Sequence, residues 1–124
     1  MKFRELLTDR NTLILAGKSA QNNEELIAQV QPDEIVLHTD EAGSPFVNIK
    51  GNPRWGDIKQ AAIFCATYSK DWKKNKKDVW VHKFKGKDVY KDLGMKTGTF
   101  GVNKFKRIKV RKKEIERFLK GRDI

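Results

Sequence analysis

Residues 55–77 read WGDIKQAAIFCATYSKDWKKNKK, and their spacing predicts one long helix. Ile58, Ala61, Ala62, Cys65, Ser69 and Trp72 recur at the intervals that place side chains on one helical stripe. Ile63, Phe64 and Tyr68 widen that stripe to a second face, and a sheet usually covers a helix that is apolar on more than one side. The Ala61-Ala62 pair leaves room for a strand to approach closely. Polarity returns abruptly with Lys70, Lys73, Lys74, Lys76 and Lys77. The front of the segment is therefore expected in the core and its tail at the surface.

The flanking sequence supplies the sheet. Residues 1–8 suit a short edge strand, and the apolar run 13–16 reads as a buried strand stopped by Gly17. A short helix follows, with Asn22 or Asn23 as its cap, Leu26, Ile27 and Val30 as its apolar spacing and Pro32 as its end. Residues 35–39 (IVLHT) are β-branched and apolar, as in a central strand, and 45–50 form the next strand after a turn at 40–44. In that strand Phe46 and Asn48 point one way, Val47 and Ile49 the other. Residues 79–84 alternate as a half-buried strand does. Residues 87–95 connect, anchored by Val89, Tyr90 and Leu93. Residues 97–102 and 105–110 suggest a hairpin around Asn103-Lys104 with a bulge near Lys106-Arg107. Residues 111–120 form a terminal helix with Ile115, Phe118 and Leu119 inward. The expected fold is α+β: a mainly antiparallel sheet packed around one long central helix, with a short helix in the N-terminal half and another at the C-terminus.

The 124 residues fit a single domain, 1–124, able to bury a core without staples. No apolar run approaches the roughly 20 residues of a membrane span, and MKFRELLTDR lacks the apolar core of a signal peptide. A cytoplasmic protein with no membrane partner is expected. The charge is uneven. Residues 1–62 carry 7 basic and 9 acidic side chains, net −2, and residues 63–124 carry 20 and 7, net +13. An excess gathered in one half points to a polyanion, nucleic acid foremost.

The residues offer little for catalysis. His38 and His82 stand apart, with no Cys, Asp or Glu at metal spacing, so neither metal nor cofactor is expected. Cys65 lies on the apolar stripe as a small buried hydrophobe, and a lone cysteine makes no internal disulfide. Residues 98–101 (GTFG) lack the Lys-Ser/Thr of a phosphate loop. A nuclease using His38 with Asp40 or Glu41 is the weakest alternative, and the chain is read as a non-enzyme. Basic residues do interleave with seven aromatics: Tyr68, Trp72, Trp80, Phe84, Tyr90, Phe100 and Phe105. About five of these are expected in the core. Trp72 and Tyr90, each beside lysine, are expected outside, where a ring can stack on a base.

Several pieces together resemble a known family. Gly17-Lys18-Ser19-Ala20, with Asn23-Glu24 and Leu26 following, is similar to the opening motif of the NFACT-R domain. Residues 33–38 (DEIVLH) stand where that family has a strand ending in histidine. Ala42-Gly43-Ser44 resembles its turn, and Ala61-Ala62 followed by Tyr68-Ser69-Lys70 resembles its helix. Val79, Val81, Lys91, Gly94, Lys96 and Gly98 follow its last β portion in order. Three departures stand out: Val36-Leu37 for an aromatic pair, Pro45 after Ser44, and Ser19 for asparagine. NFACT-R is the RNA-binding module of the fibronectin-binding-protein-A-like, or nuclear export mediator factor, ribosome quality-control proteins. The resemblance implies a stand-alone version that binds structured RNA, tRNA or rRNA, with possible ribosome association and no peptide-tailing activity. It singles out Gly17, Lys18, Asn23, His38, Gly43, Ser44, Ser69 and Lys70. The phosphate site is expected at Lys70, Lys73, Lys74, Lys76 and Lys77, with Lys83, Lys85, Lys87 and Lys91 beside it. The alternative is a generic polyanion surface for DNA or an acidic protein.

Overall fold

The computed structural model describes residues 3–122, without the side chain of residue 122. Among them the elements run β1 (Arg4–Leu7), β2 (Leu13–Ala16), α1 (Ala20–Ala28), β3 (Ile35–Thr39), β4 (Val47–Ile49), α2 (Trp55–Thr67), α3 (Lys70–Asn75), β5 (Val79–Lys85), β6 (Val89–Tyr90), β7 (Gly101–Val102), β8 (Lys106–Val110) and α4 (Lys112–Arg122). Six strands form one antiparallel sheet in the order β1-β2-β4-β3-β5-β8, and β6 pairs with β7 as a separate ribbon. The fold is α+β, as the sequence predicts.

The two faces of the sheet have different coverage. Because strand side chains alternate, Ile14, Ala16, Leu37, Val47, Ile49, Val79, Val81, Ile108 and Val110 share one face. Against it pack Ile58, Ala61, Ala62 and Cys65 of α2, Trp72 of α3 and Ile115 of α4. Phe64 of α2 meets Phe118 of α4 edge-on, with ring centroids 6.2 Å apart. Leu15, Val36, Phe46 and Phe84 share the other face, covered by Leu26 of α1, Phe3 and the ribbon residues Val89 and Val102.

The predicted helix 55–77 is two helices. Ser69 is extended (φ −83, ψ 152) and wholly buried, and its Oγ donates to Ala66 O (2.7 Å) and accepts from Trp72 N (3.1 Å). A serine that satisfies the backbone on both sides ends one helix and caps the next. The apolar stripe survives the break, since Ser69 and Trp72 remain inside. Trp72 is only 4% exposed, so it fills the core and is closed to stacking on a base.

Other expectations shift too. Ser19 caps α1, accepting from Asn22 N at 3.1 Å, while Asn22 and Asn23 are turned inward. α1 ends at Ala28, before Pro32. There is no 97–110 hairpin: β7 pairs with β6, and β8 pairs in unbroken register with β5. Leu93 is fully exposed and anchors nothing. Of the seven interleaved aromatics only Trp72 and Phe84 are buried; Tyr68 and Phe100 are half-buried, and Trp80, Tyr90 and Phe105 are exposed.

Asp57 ties the first turn of α2 to the β1–β2 turn. It accepts from Thr8 Oγ1 (2.7 Å), Arg10 Nη1 (2.7 Å) and Arg54 N (2.9 Å), and is 1% exposed. The Thr8 hydroxyl, then the Arg54 N–H, hold its carboxyl down at about 2, below an ordinary 3.8. A depressed folded value means stability present above about pH 4 and withdrawn as pH falls through about 2. Asp57→Ala is expected to destabilise the fold at pH 7 in urea titrations, with the gap to the parent narrowing between pH 4 and 2. Ser69→Ala should cost about 1 kcal/mol as a lost cap. Trp72→Ala should cost about 3–5 kcal/mol, read from the same titrations.

Candidate nucleic-acid interface

A cleft of about 640 Å³ opens on the second face of the sheet. Its floor is His38, Phe46, His82 and Phe84. Its walls are the 42–45 turn, the start of α1 and the segment 97–100, with Phe105 at one end. Arg4, Lys18, Lys70 and Lys73 supply cations from two elements and one loop, and Asp40 is the one acid lining it among the described residues. An aromatic floor under a cationic rim suits a ligand that is flat in one part and anionic in another.

Of the residues singled out by sequence resemblance, all but the buried Ser69 line this cleft. Asn23 Oδ1 accepts from Phe46 N (3.1 Å) and Gly17 N donates to Phe46 O (3.1 Å), so α1 is bolted to the chain entering β4. Gly17 is required by space: a Cβ there would lie 2.0 Å from Asn23 Oδ1. Gly43 is required by conformation, with φ +91, and its missing side chain also leaves room for the stem of Lys70. Lys70 N donates to Gly43 O at 2.8 Å, so α3 starts from the 40–44 turn. Ser44 Oγ accepts from Thr39 N (3.0 Å) and donates to Pro45 O (3.0 Å), closing that turn from inside.

Two histidines face each other across β3 and β5. His38 Nδ1 is 2.8 Å from Thr39 O, and its ring centroid is 4.4 Å from that of Phe46. Burial pushes its pKa below the ordinary value. It is therefore a neutral imidazole at pH 7; facing a carbonyl, Nδ1 carries the proton and Nε2 is left as an acceptor. His82 Nε2 lies 2.7 Å from Asp40 Oδ1, and its ring stacks on Phe105 with centroids 3.9 Å apart. Asp40 is thus engaged by His82 rather than His38, which takes away one of the two carboxylates, Asp40 or Glu41, named for the nuclease alternative. Cys65 is buried and its pKa pushed up to about 12, so it stays a thiol.

The predicted lysine site divides. Lys70 and Lys73 line the cleft. Lys74 is exposed on α3, and Lys76 closes that helix with its ammonium 5.0 Å from the Trp72 ring. Lys77 borders a shallow groove with Asp78, Trp80, Lys109 and Lys112. Lys83 and Lys85 share the parity of Val79 and Val81 and so leave the sheet on the opposite face. Lys87 stands exposed in a single 3-10 turn after β5. Lys91 works internally: its Nζ donates to Glu24 Oε2 (2.6 Å), Lys96 O (2.6 Å) and Thr99 O (2.7 Å), clamping the 91–99 loop to α1. That bond, with Gly98 N, lowers the pKa of Glu24. Tyr90 is 40% exposed, its ring lying over Gly101.

Sequence reasoning missed Arg4, whose guanidinium lies 4.2 Å from the Tyr68 ring and donates to Gly17 O at 3.3 Å. It also missed Trp80, His82, Phe105 and Arg107, although strand parity carried the signal. Trp80 and His82 alternate with buried Val79 and Val81, and Arg107 and Lys109 with buried Ile108 and Val110.

The chain is similar to known proteins. Over 65 residues the sequence is 37% identical to the archaeal Rqc2 homolog aRqcH of Methanocaldococcus jannaschii, a match spanning 49% of this chain and 10% of that protein. The fold is similar to the C-terminal part of the fibronectin/fibrinogen-binding protein of Streptococcus suis. That likeness has a TM-score of 0.82 at 25% identity, over 94% of this chain and 49% of the other. The chain thus spans a small part of one relative and about half of the other structure. Residues 2–104 match the family described as the NFACT protein RNA binding domain, and the chain belongs to that family.

Proposed function

We propose that this domain binds structured RNA, tRNA or rRNA, in a ribosome quality-control setting in the cytoplasm, without catalysing a reaction. The observation that carries this reading is the meeting of Arg4, Lys18, Lys70 and Lys73 around one aromatic-floored cleft. Phosphates sit on the rim, where Lys18 stands just before the N-terminus of α1 and the helix dipole adds to its charge. Lys70 is pre-aimed by its backbone bond to Gly43 and its stem packing on that glycine, so little side-chain freedom is lost on binding. The quality-control setting is supported by the likeness to the archaeal Rqc2 homolog.

A generic cation surface is the competing reading, favoured by the net charge of +11 and by the exposed lysines of α3. Fluorescence anisotropy with tRNA across a salt series separates the two. Lys18→Ala/Lys70→Ala is expected to weaken binding at least tenfold and to lower the slope of log affinity against log salt by about 1.4, roughly 0.7 per phosphate contact on a single strand. Lys74→Ala/Lys77→Ala should change both far less. Equal losses from the two pairs, with equal displacement by tRNA, duplex DNA and heparin, would show a generic surface instead.

A further inference from the structure

The second face of β8 and of the start of β5 at Trp80 lies beside the cleft, away from Phe84, where the β6–β7 ribbon covers the sheet. We infer that it is a stacking platform for unpaired nucleotides, so that the RNA segment recognised is single-stranded or looped. This rests on the reading that the domain binds RNA and adds which part of an RNA it takes.

Two rings define the platform. Phe105 is 46% exposed, and the His82 imidazole, tilted only 14° from it, backs one side of the ring and holds it upright. Trp80 is 37% exposed and precedes His82 by two residues on the same strand face, about 6.6 Å along the strand. The Arg107 guanidinium lies 4.2 Å from the Trp80 ring and Lys109 Nζ 5.8 Å from it. Both are cross-strand neighbours, Lys109 opposite Trp80 and Arg107 opposite His82. A guanidinium plane on an indole is itself a surface on which a base stacks.

The chemistry selects RNA with free base faces. In a duplex each base is already covered above and below, so rings offered broadside gain little from it; an unpaired base has both faces to give. The acids nearby are already used: Asp40 bridges His82 and Arg107 (2.7 and 3.7 Å), and Asp78 pairs with Lys109 at 3.6 Å. Those pairs offset Arg107 and Lys109, and Lys77 and Lys112, which border the groove beside Trp80, supply the positive charge for the phosphates of the same strand. Phe105 and His82 also line the cleft, so a strand leaving the cationic rim passes onto Phe105 and then Trp80.

The test compares a labelled RNA hairpin carrying a short single-stranded overhang with the same hairpin made blunt. The full chain should prefer the overhang RNA. Trp80→Leu should weaken overhang binding about tenfold, as for one lost base stack, and leave blunt binding unchanged; Phe105→Leu, at the cleft end, should weaken overhang binding more than blunt binding. The thermal midpoint and the salt slope should also stay unchanged, because no cation is removed. Phe105→Tyr, which keeps a ring, should bind as the parent does. Equal binding of both RNAs by the parent, or equal losses on both in the leucine variants, overturns the platform while leaving RNA binding intact. Binding of neither RNA by the parent overturns both readings.

Discussion

Unequal coverage of the sheet governs this molecule. Six strands at about 4.8 Å spacing make a surface roughly 24 Å wide, and a helix with its side chains covers about 10 Å of it. On one face α2 and α4 lie together, joined by the Phe64–Phe118 contact and the Lys59–Glu114 ion pair at 3.2 Å, and the apolar residues there are sealed. On the other face one nine-residue helix and a two-stranded ribbon cover β2, β4, β3 and part of β5. What they leave uncovered is the cleft and the aromatic strip beside it. The glycine, asparagine and serine positions of the motif hold the covering pieces at the cleft margin, so their role is architectural, and the cations are carried on what they hold.

The strands were legible because each is a short run of apolar or alternating residues with a breaker beside it, as at Leu13–Ala16 before Gly17. The break in the helix was not. Cys65, Ser69 and Trp72 keep helical spacing across it, and a serine reads as tolerable inside a helix until its partners are seen. The 97–110 hairpin failed for the opposite reason. Asn103-Lys104 is a good local turn signal, but β8 pairs over five residues with β5, more than twenty residues away, where β7 is only Gly101 and Val102. For the site, the resemblance pointed to positions that gather at the cleft, without saying what they do there. The lysine run drew attention because it is dense in sequence, whereas the sheet spreads Lys83 and Lys85 to one face and sets Trp80 and His82 on the other.

The two halves of the chain also divide the electrostatic work. Acids of the first half are spent inside the fold: Glu24 on Lys91, Glu34 on Lys50, Asp40 on His82 and Arg107, Asp57 on Arg10. Apart from the buried Asp57 carboxylate, these pairs are partly exposed and stabilise little on their own. Their effect is positional: they fix the 91–99 loop, the β3–β5 corner and the start of α2. The net positive charge that remains is exposed lysine at the surface together with the few cations anchored at the rim.

β8 has a second consequence through its place in the sheet. It is an outer strand, with one row of backbone N–H and C=O groups facing away from β5. Such a row is a template on which another copy could add a strand, and charged side chains are the usual deterrent. Lys106, Arg107 and Lys109 supply it here, so a second copy added at this edge would meet like charges. A polyanion that neutralises those side chains removes the deterrent while it is bound. Solubility should then depend on how much polyanion is present, lowest where the charges balance and restored when either component is in excess.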